Sequence, residues 1–223
     1  MKIRVLGYIT GAIVAGFLIY MLCAERSSCA CCGPAKGFTR SELAILNDAD
    51  SIMRVLTIED PCDLEVLRAT SCDFSSKALL SEEFRRLSEL MIATVTHPSQ
   101  DGVGIAGPQV GLNRRVVAVQ RFDKEGEPFE VYPNIRIVWQ SDSPEFGPEG
   151  CLSLPDRRED VARSTEIIIE YTGIDPDYMS SSQDNSPSAP SLIPVRDTIS
   201  GFTAVIFQHE IDHLDGILYI DRL

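Results

Sequence analysis

Hydrophobic and polar positions change their spacing several times along this chain, and each change predicts a different element. From Val5 to Leu22 the run carries no charge, with Lys2 and Arg4 in front of it. As a helix such a run spans about 27 Å, close to the hydrocarbon thickness of a bilayer. Residues 1–23 therefore read as a signal anchor, or else as a cleaved signal peptide, with membrane contact through residues 5–22. A membrane-anchored or exported protein is the resulting expectation. The side is open, because Lys2 and Arg4 favour a cytoplasmic N-terminus while Arg26, Lys36 and Arg40 pull the other way. Residues 24–53 read as a linker and a short helix: Ala24 to Gly37 lacks periodicity, and Thr39 with Glu42 has capping-box spacing ahead of Leu43, Ile45 and Leu46.

Beyond residue 54 the pattern is that of a folded domain. Residues 55–74 hold short apolar runs broken by Pro61 and are expected to be extended and turn-rich. Phe84, Leu87, Leu90, Met91 and Val95 then form one helical stripe behind Glu82 and Glu83, ending before Pro98. Gly102 to Gly111 packs four glycines and a proline into ten residues, which means backbone passing close to something. Strands are expected over residues 115–120, 129–139 and 167–171. The Ser/Pro-rich stretch 174–198 is expected to be a flexible insertion, a mobile surface loop or a lid. A last helix from about Ile199 aligns Phe202, Val205 and Ile206 with His209 and His213. The fold class is α+β: antiparallel strands packed around a central helix, preceded by the N-terminal membrane or signal segment.

That last helix carries the chemistry. Gln208 to Gly216 reads Gln-His-Glu-Ile-Asp-His-Leu-Asp-Gly, and residues four apart share one face, so His209 and His213 can meet one metal ion with Glu210 beside them. Surface histidines on an amphipathic helix are the plainer alternative, but here both continue an apolar face. The third histidine, His97, sits at a helix end and reads as structural. Cys151, isolated between Gly150 and Leu152, is either a small buried hydrophobe or a third ligand. The cysteines at 23, 29, 31 and 32 lack paired histidines and read as acylated or incidental.

Charge narrows the function classes. Thirty-three acidic against 20 basic residues give a formal net charge of -13, so no direct nucleic-acid binding is expected. The glycine-rich stretch is no phosphate loop, since Gly-Lys-Ser/Thr is missing from it.

Three segments together, GVGIAGPQ at 102–109, EGCLS at 149–153 and QHEIDHL at 208–214, resemble the motifs of the peptide deformylases. The resemblance runs from about residue 54 to residue 223, which it marks as the catalytic domain. It implies one divalent metal ion per chain held by Cys151, His209 and His213, ferrous iron first, with zinc or nickel able to substitute. It implies hydrolysis of the formyl group from an N-formyl-methionyl peptide or nascent-chain N-terminus by metal-activated water. Glu210 would carry the proton, and the Gln109 side-chain amide and Leu152 backbone N–H would face the oxyanion. Val103, Gly104 and Ile105 are then expected to contact substrate, and helical spacing adds Phe202, Val205 and Ile206 to the pocket for the methionine side chain. Gly107 stands where the family has alanine. Arg158 and Arg163 follow the cysteine motif where the family also carries arginines, and they are either partners of Glu149 in a supporting ion pair or solvated surface charges.

Two rival readings remain. A zinc metallopeptidase of the His-Glu-x-x-His-x-x-Gly-x-x-His kind matches through Gly216 and then meets Tyr219 instead of histidine. A non-catalytic, peptide-binding deformylase-like module is the other.

Overall fold

Helix α1 (Arg40–Asp48) is the first helix among the described residues, and it has the expected capping box: Thr39 accepts from the Glu42 N–H while Glu42 takes the Thr39 N–H. The structure, a computed structural model, describes residues 36–174 and 191–223. Helix α1 shares a core with residues far beyond it. Leu46 is buried in that core, and Glu42 pairs with the buried Arg114, so the helix expected in the 24–53 segment packs on the domain that follows it.

Helix α2 (Pro61–Leu67) occupies a stretch expected to be extended. Pro61 sits at its start, where the missing N–H costs nothing, and Asp60 caps it. After the short α3 (Ser76–Leu79), helix α4 (Glu82–Val95) has the stripe the periodicity required, with Ser81 as its cap.

Among the described residues the strands form three antiparallel units. In the first, β1 (Gly104–Ala106) pairs with β2 (Val116–Gln120), and β2 with β3 (Phe129–Pro133). The expected strand 129–139 is broken at Asn134, whose φ of 55° lies in the left-handed region, and continues as β4 (Arg136–Gln140). Strands β5 (Pro144–Cys151) and β6 (Leu154–Ser164) make a hairpin. Strand β7 (Glu166–Ile174) lies between β4 and β8 (Leu192–Ser200). Part of the stretch expected to be a flexible insertion is thus strand, and residues 175–190 of it lie outside the described residues. Helix α5 (Gly201–Leu214) comes directly after β8, so Ile199 is strand and not helix.

Strand β2 divides the core. Its alternate residues Val116 and Ala118 pack towards α4, while Val117 and Val119 join Ile206, Phe207 and Ile211 of α5. Helix α5 also packs against β6, β7 and β8. It ends at Gly216, where φ is +72° and a Cβ would lie 2.3 Å from the Arg68 carbonyl oxygen, so only glycine fits.

The expectation of a membrane-anchored or exported protein is corrected. Among the described residues no helix is long and apolar enough to cross a membrane. The longest, α4 and α5, have 14 residues each, about 21 Å against the roughly 30 Å of hydrocarbon. The run 5–22 on which that expectation stood lies outside the described residues.

Candidate metal centre

Two turns of α5 and the end of one hairpin strand build the site. His209 and His213 stack along the helix with ring centroids 5.1 Å apart. Cys151 arrives at the end of β5, where the pairing with β6 shifts register between Gly150 and Cys151. Its sulfur lies 3.2 Å from His213 Nε2. One ligand atom from each of Cys151, His209 and His213 falls within 4.8 Å of the others, and no other such trio occurs among the described residues.

The surroundings fix the histidines. His209 Nδ1 donates to Glu149 at 2.7 Å, which leaves Nε2 as the ring atom to hold a metal. Glu149 is gripped by Arg163 through Nε at 2.6 Å and Nη2 at 3.0 Å, one of the two alternatives the sequence leaves open, and Arg163 also reaches Asp212 at 2.6 Å. Burial alone would raise the Glu149 carboxyl. The Arg163 and His209 hydrogen bonds overcome that and hold it at about 2. For His209 burial opposes the charge, yet Cys151 and Glu149 raise its pKa to about 10, so Nε2 carries a second proton that a metal ion would displace. His213 is kept well below its usual value by burial and by His209, so it is a neutral donor.

These values test whether a metal fits. His213 stays neutral, and its Nε2 faces the Cys151 sulfur at 3.2 Å. One sulfur and two imidazole nitrogens within 4.8 Å of one another are a donor set for zinc or a neighbouring divalent ion. The residues fit the group.

Glu210 lies beside them with one carboxylate oxygen lacking a partner, and burial, ahead of all other causes, pushes its carboxyl up to about 7. A Cβ at Gly104 would stand 2.6 Å from Glu210 Oε1 and 2.9 Å from Ile206 Cγ2, so the glycine gives the carboxylate its room. Gln109 is held by its own loop: Oε1 accepts from the Ala106 N–H at 2.8 Å, and Nε2 reaches Ser153 Oγ at 3.3 Å and Cys151 Sγ at 3.6 Å. Gly107 in that loop is required by the backbone, since a Cβ there would meet the carbonyl oxygens of Arg114 and Leu112 at 2.6 and 2.8 Å.

A cleft of about 660 Å³ opens over these groups. Val103, Gly104, Phe202, Val205 and Ile206 line it, together with Gln109, Cys151, Leu152, His209 and Glu210. Ile105 does not. It is 0% exposed and packs into the α4 side of the core, because adjacent residues of β1 face opposite ways. Sequence reasoning missed Gln100, Asp101, Pro148, Asp156 and Arg157 on the rim. Their adjacency in sequence to the glycine and cysteine motifs was the available signal. His97 stays outside, exposed and bonded to Ser99.

Comparison with known proteins agrees with this geometry. The family model described as Polypeptide deformylase matches residues 52–223. The peptide deformylase of Leptospira biflexa is 33% identical over 180 residues, covering 78% of this chain and 88% of its own. Peptide deformylase 2 of Vibrio vulnificus is 34% identical over 173 residues, covering 78% and 87%. A crystal structure of the class I type b peptide deformylase from Acinetobacter baumannii, with Met-Ala-Ser bound, superposes with a TM-score of 0.61 at 29% identity, covering 77% of this chain and 98% of that one.

Proposed function

This chain belongs to the polypeptide deformylase family, and from that premise we propose how its own residues carry out the hydrolysis. The reaction removes the formyl group from an N-formyl-methionyl peptide or nascent-chain N-terminus, releasing formate and a free amine. A divalent ion at Cys151, His209 and His213, ferrous iron in our reading with zinc or nickel as substitutes, supplies Lewis acidity and lowers the pKa of water towards neutrality.

The remaining work falls to the chain. Glu210 takes the proton of the attacking water and passes it to the departing amine, a task suited to a carboxyl raised to about 7. The Gln109 side-chain N–H and the Leu152 backbone N–H donate to the oxyanion that develops on the formyl oxygen. Gln109 is oriented for this by the Ala106 N–H on its carbonyl, which fixes which end of the amide faces the cleft. Glu149 and Arg163 fix the His209 ring through Nδ1, so that Nε2 would be the atom left to hold the metal.

Substrate binding depends on the sheet. Strand β1 is the edge of its sheet and Gly104 faces the cleft, so a peptide backbone can add alongside it as a further strand. Val103, Phe202, Val205 and Ile206 make the apolar wall for the methionine side chain. The Met-Ala-Ser ligand of the Acinetobacter baumannii relative supports a peptide substrate. We assign the activity to residues 54–223 together with α1, which shares their core.

The convergence of one sulfur and two imidazoles within 4.8 Å, beside a carboxylate whose Oε2 has no partner among the described residues, carries this reading. Turnover of a formyl-Met-Ala-Ser peptide by the metal-loaded protein tests it. In Glu210→Ala the rate is expected to drop roughly 10²- to 10⁴-fold with metal content unchanged. A parent protein that leaves the formyl group in place, or a variant as fast as the parent, would sink the assignment. Metal analysis after anaerobic purification identifies the ion.

A further inference from the structure

The segment after α5 bears on His209 from two directions, and no step of the hydrolysis uses it. Past Gly216 the chain turns back into a 3-10 helix, Tyr219–Arg222. The buried Tyr219 ring lies nearly parallel to the His209 imidazole, with centroids 5.9 Å apart and planes 25° from each other. Arg222 donates both Nε and Nη2 to the Asp212 carboxylate. Asp212 Oδ2 also accepts from Arg163 Nη1 at 2.6 Å, Arg163 grips Glu149, and Glu149 holds His209 Nδ1 at 2.7 Å. Two guanidiniums and two carboxylates thus alternate from the 3-10 helix inward to the imidazole. The inner pair, Arg163 and Glu149, has side chains 3% and 5% exposed, whereas Arg222 is 42% exposed.

We propose that Arg222 is a positioning residue for His209, acting through Asp212, Arg163 and Glu149. The inference rests on the reading of His209 as a metal ligand and is independent of which amide is hydrolysed. Asp212, only 10% exposed, divides its oxygens between two guanidiniums. Without Arg222 it is left with Arg163 alone and draws that side chain outward, because a buried carboxylate stripped of one partner leans on the other. Arg163 then loosens its two-point grip on Glu149, and His209 loses the carboxylate that sets its ring orientation. Lysine in place of Arg222 keeps the charge but offers no planar fork, so it restores the arrangement in part.

The test is metal affinity of the full chain, read as Zn²⁺ competition with a chromophoric chelator, with no peptide present. Arg222→Gln is expected to weaken Zn²⁺ binding on the order of 10-fold and to shift the visible absorption of the Co²⁺-substituted protein. Arg222→Lys should fall between it and the parent. Arg68→Gln is the control: Arg68 ties the same 3-10 helix through Asp221 and the Gly216 carbonyl but does not join the chain of ion pairs. It should leave Zn²⁺ affinity within about 2-fold, well short of the change that comes from losing a group that orients a ligand. An Arg222→Gln protein with parental affinity overturns the proposal, and so does an Arg68→Gln protein that loses as much, since the segment would then act only as structure. Should Arg222→Gln not fold, Arg222→Lys decides alone, weaker binding supporting and parental binding overturning. A parent that binds no Zn²⁺ removes the metal reading and this inference together. A Zn²⁺ response without formyl-peptide turnover removes only the enzyme assignment.

Discussion

Helices α4 and α5 have the same length and opposite surroundings, and the contrast explains where the chemistry sits. Helix α4 buries Leu87, Leu90, Met91 and Val95 on one face and turns Glu82, Arg85 and Glu89 to water, where they pair among themselves. Helix α5 buries 11 of its 14 residues, and five of those are Gln208, His209, Glu210, Asp212 and His213. Polar groups so buried need partners. Most have them: Gln208 bonds Ser164 through both ends of its amide, His209 holds Glu149, and Asp212 holds two arginines. The atoms left over, Glu210 Oε2 and His213 Nδ1, lie on the two residues flanking the proposed proton transfer and metal ligation. A helix with its charges in water asks little of the rest of the fold, whereas α5 requires β5, β6 and the last 3-10 helix to bring matching groups.

Breaking the buried partnership gives the largest effect. Arg163 bridges Glu149 and Asp212 with a side chain only 3% exposed, so Arg163→Ala leaves the buried Glu149 with His209 alone and Asp212 with Arg222 alone. Unfolding free energy should fall by about 3–5 kcal/mol, read by urea denaturation, and metal content should fall with it. An unchanged midpoint would mean that the network is dispensable.

Acid probes the same pair next. Glu149 is held at about 2 against an ordinary 4.5, so between these values the unfolded chain binds a proton that the folded one refuses. Its contribution is complete above pH 4.5 and is lost as pH falls towards 2. The size is on the order of 3 kcal/mol at most. Denaturation of metal-free protein at a series of pH values should show this slope, and Arg163→Ala should flatten it.

Room for the carboxylate is a smaller term. In Gly104→Ala the added methyl would overlap Glu210 Oε1 at 2.6 Å, so the carboxylate must move while the histidines stay. A misplacement of this kind costs up to about 100-fold, and we expect a kcat roughly 10- to 100-fold lower with Zn²⁺ affinity unaltered. Wild-type kcat in this variant would show that Glu210 has freedom to spare.

How much of this is legible in the sequence depends on how local each feature is. The Thr39–Glu42 cap, the α4 stripe and β2 rest on neighbours a few residues apart, and they stand where expected. Pro61 looks like an interruption in the sequence but begins a helix, since its meaning turns on which side of it the helix lies. Strand β8 is hidden because its Pro194 and its alternating polar residues resemble loop, and it is strand only through pairing with β7. Ile105 is misplaced by sequence for a similar reason: the face a strand residue takes is fixed by the sheet, and three residues of β1 carry no period of their own. The site fares better. His209 and His213 announce themselves by spacing, but Cys151 becomes a candidate third ligand only beside them, and the family likeness supplies the assignment. The ion pairs linking Arg222 to Glu149 join residues far apart in the chain, and no local pattern marks them.

Helix α4 offers the complementary control, with the smallest effect. Arg85 reaches Glu82 and Glu89 one turn away on either side, all three well exposed. Water solvates each charge almost as well as its partner does, salt screens the attraction, and holding three long side chains together costs entropy. Arg85→Ala should therefore leave the melting temperature within error of the parent, and salt at about 0.5 M should erase any remaining difference. A loss comparable to that of Arg163→Ala would mean that ion pairs stabilise this protein wherever they stand. The buried set around α5 would then have no special claim to hold the site, and the contrast between the two helices would reduce to one of composition.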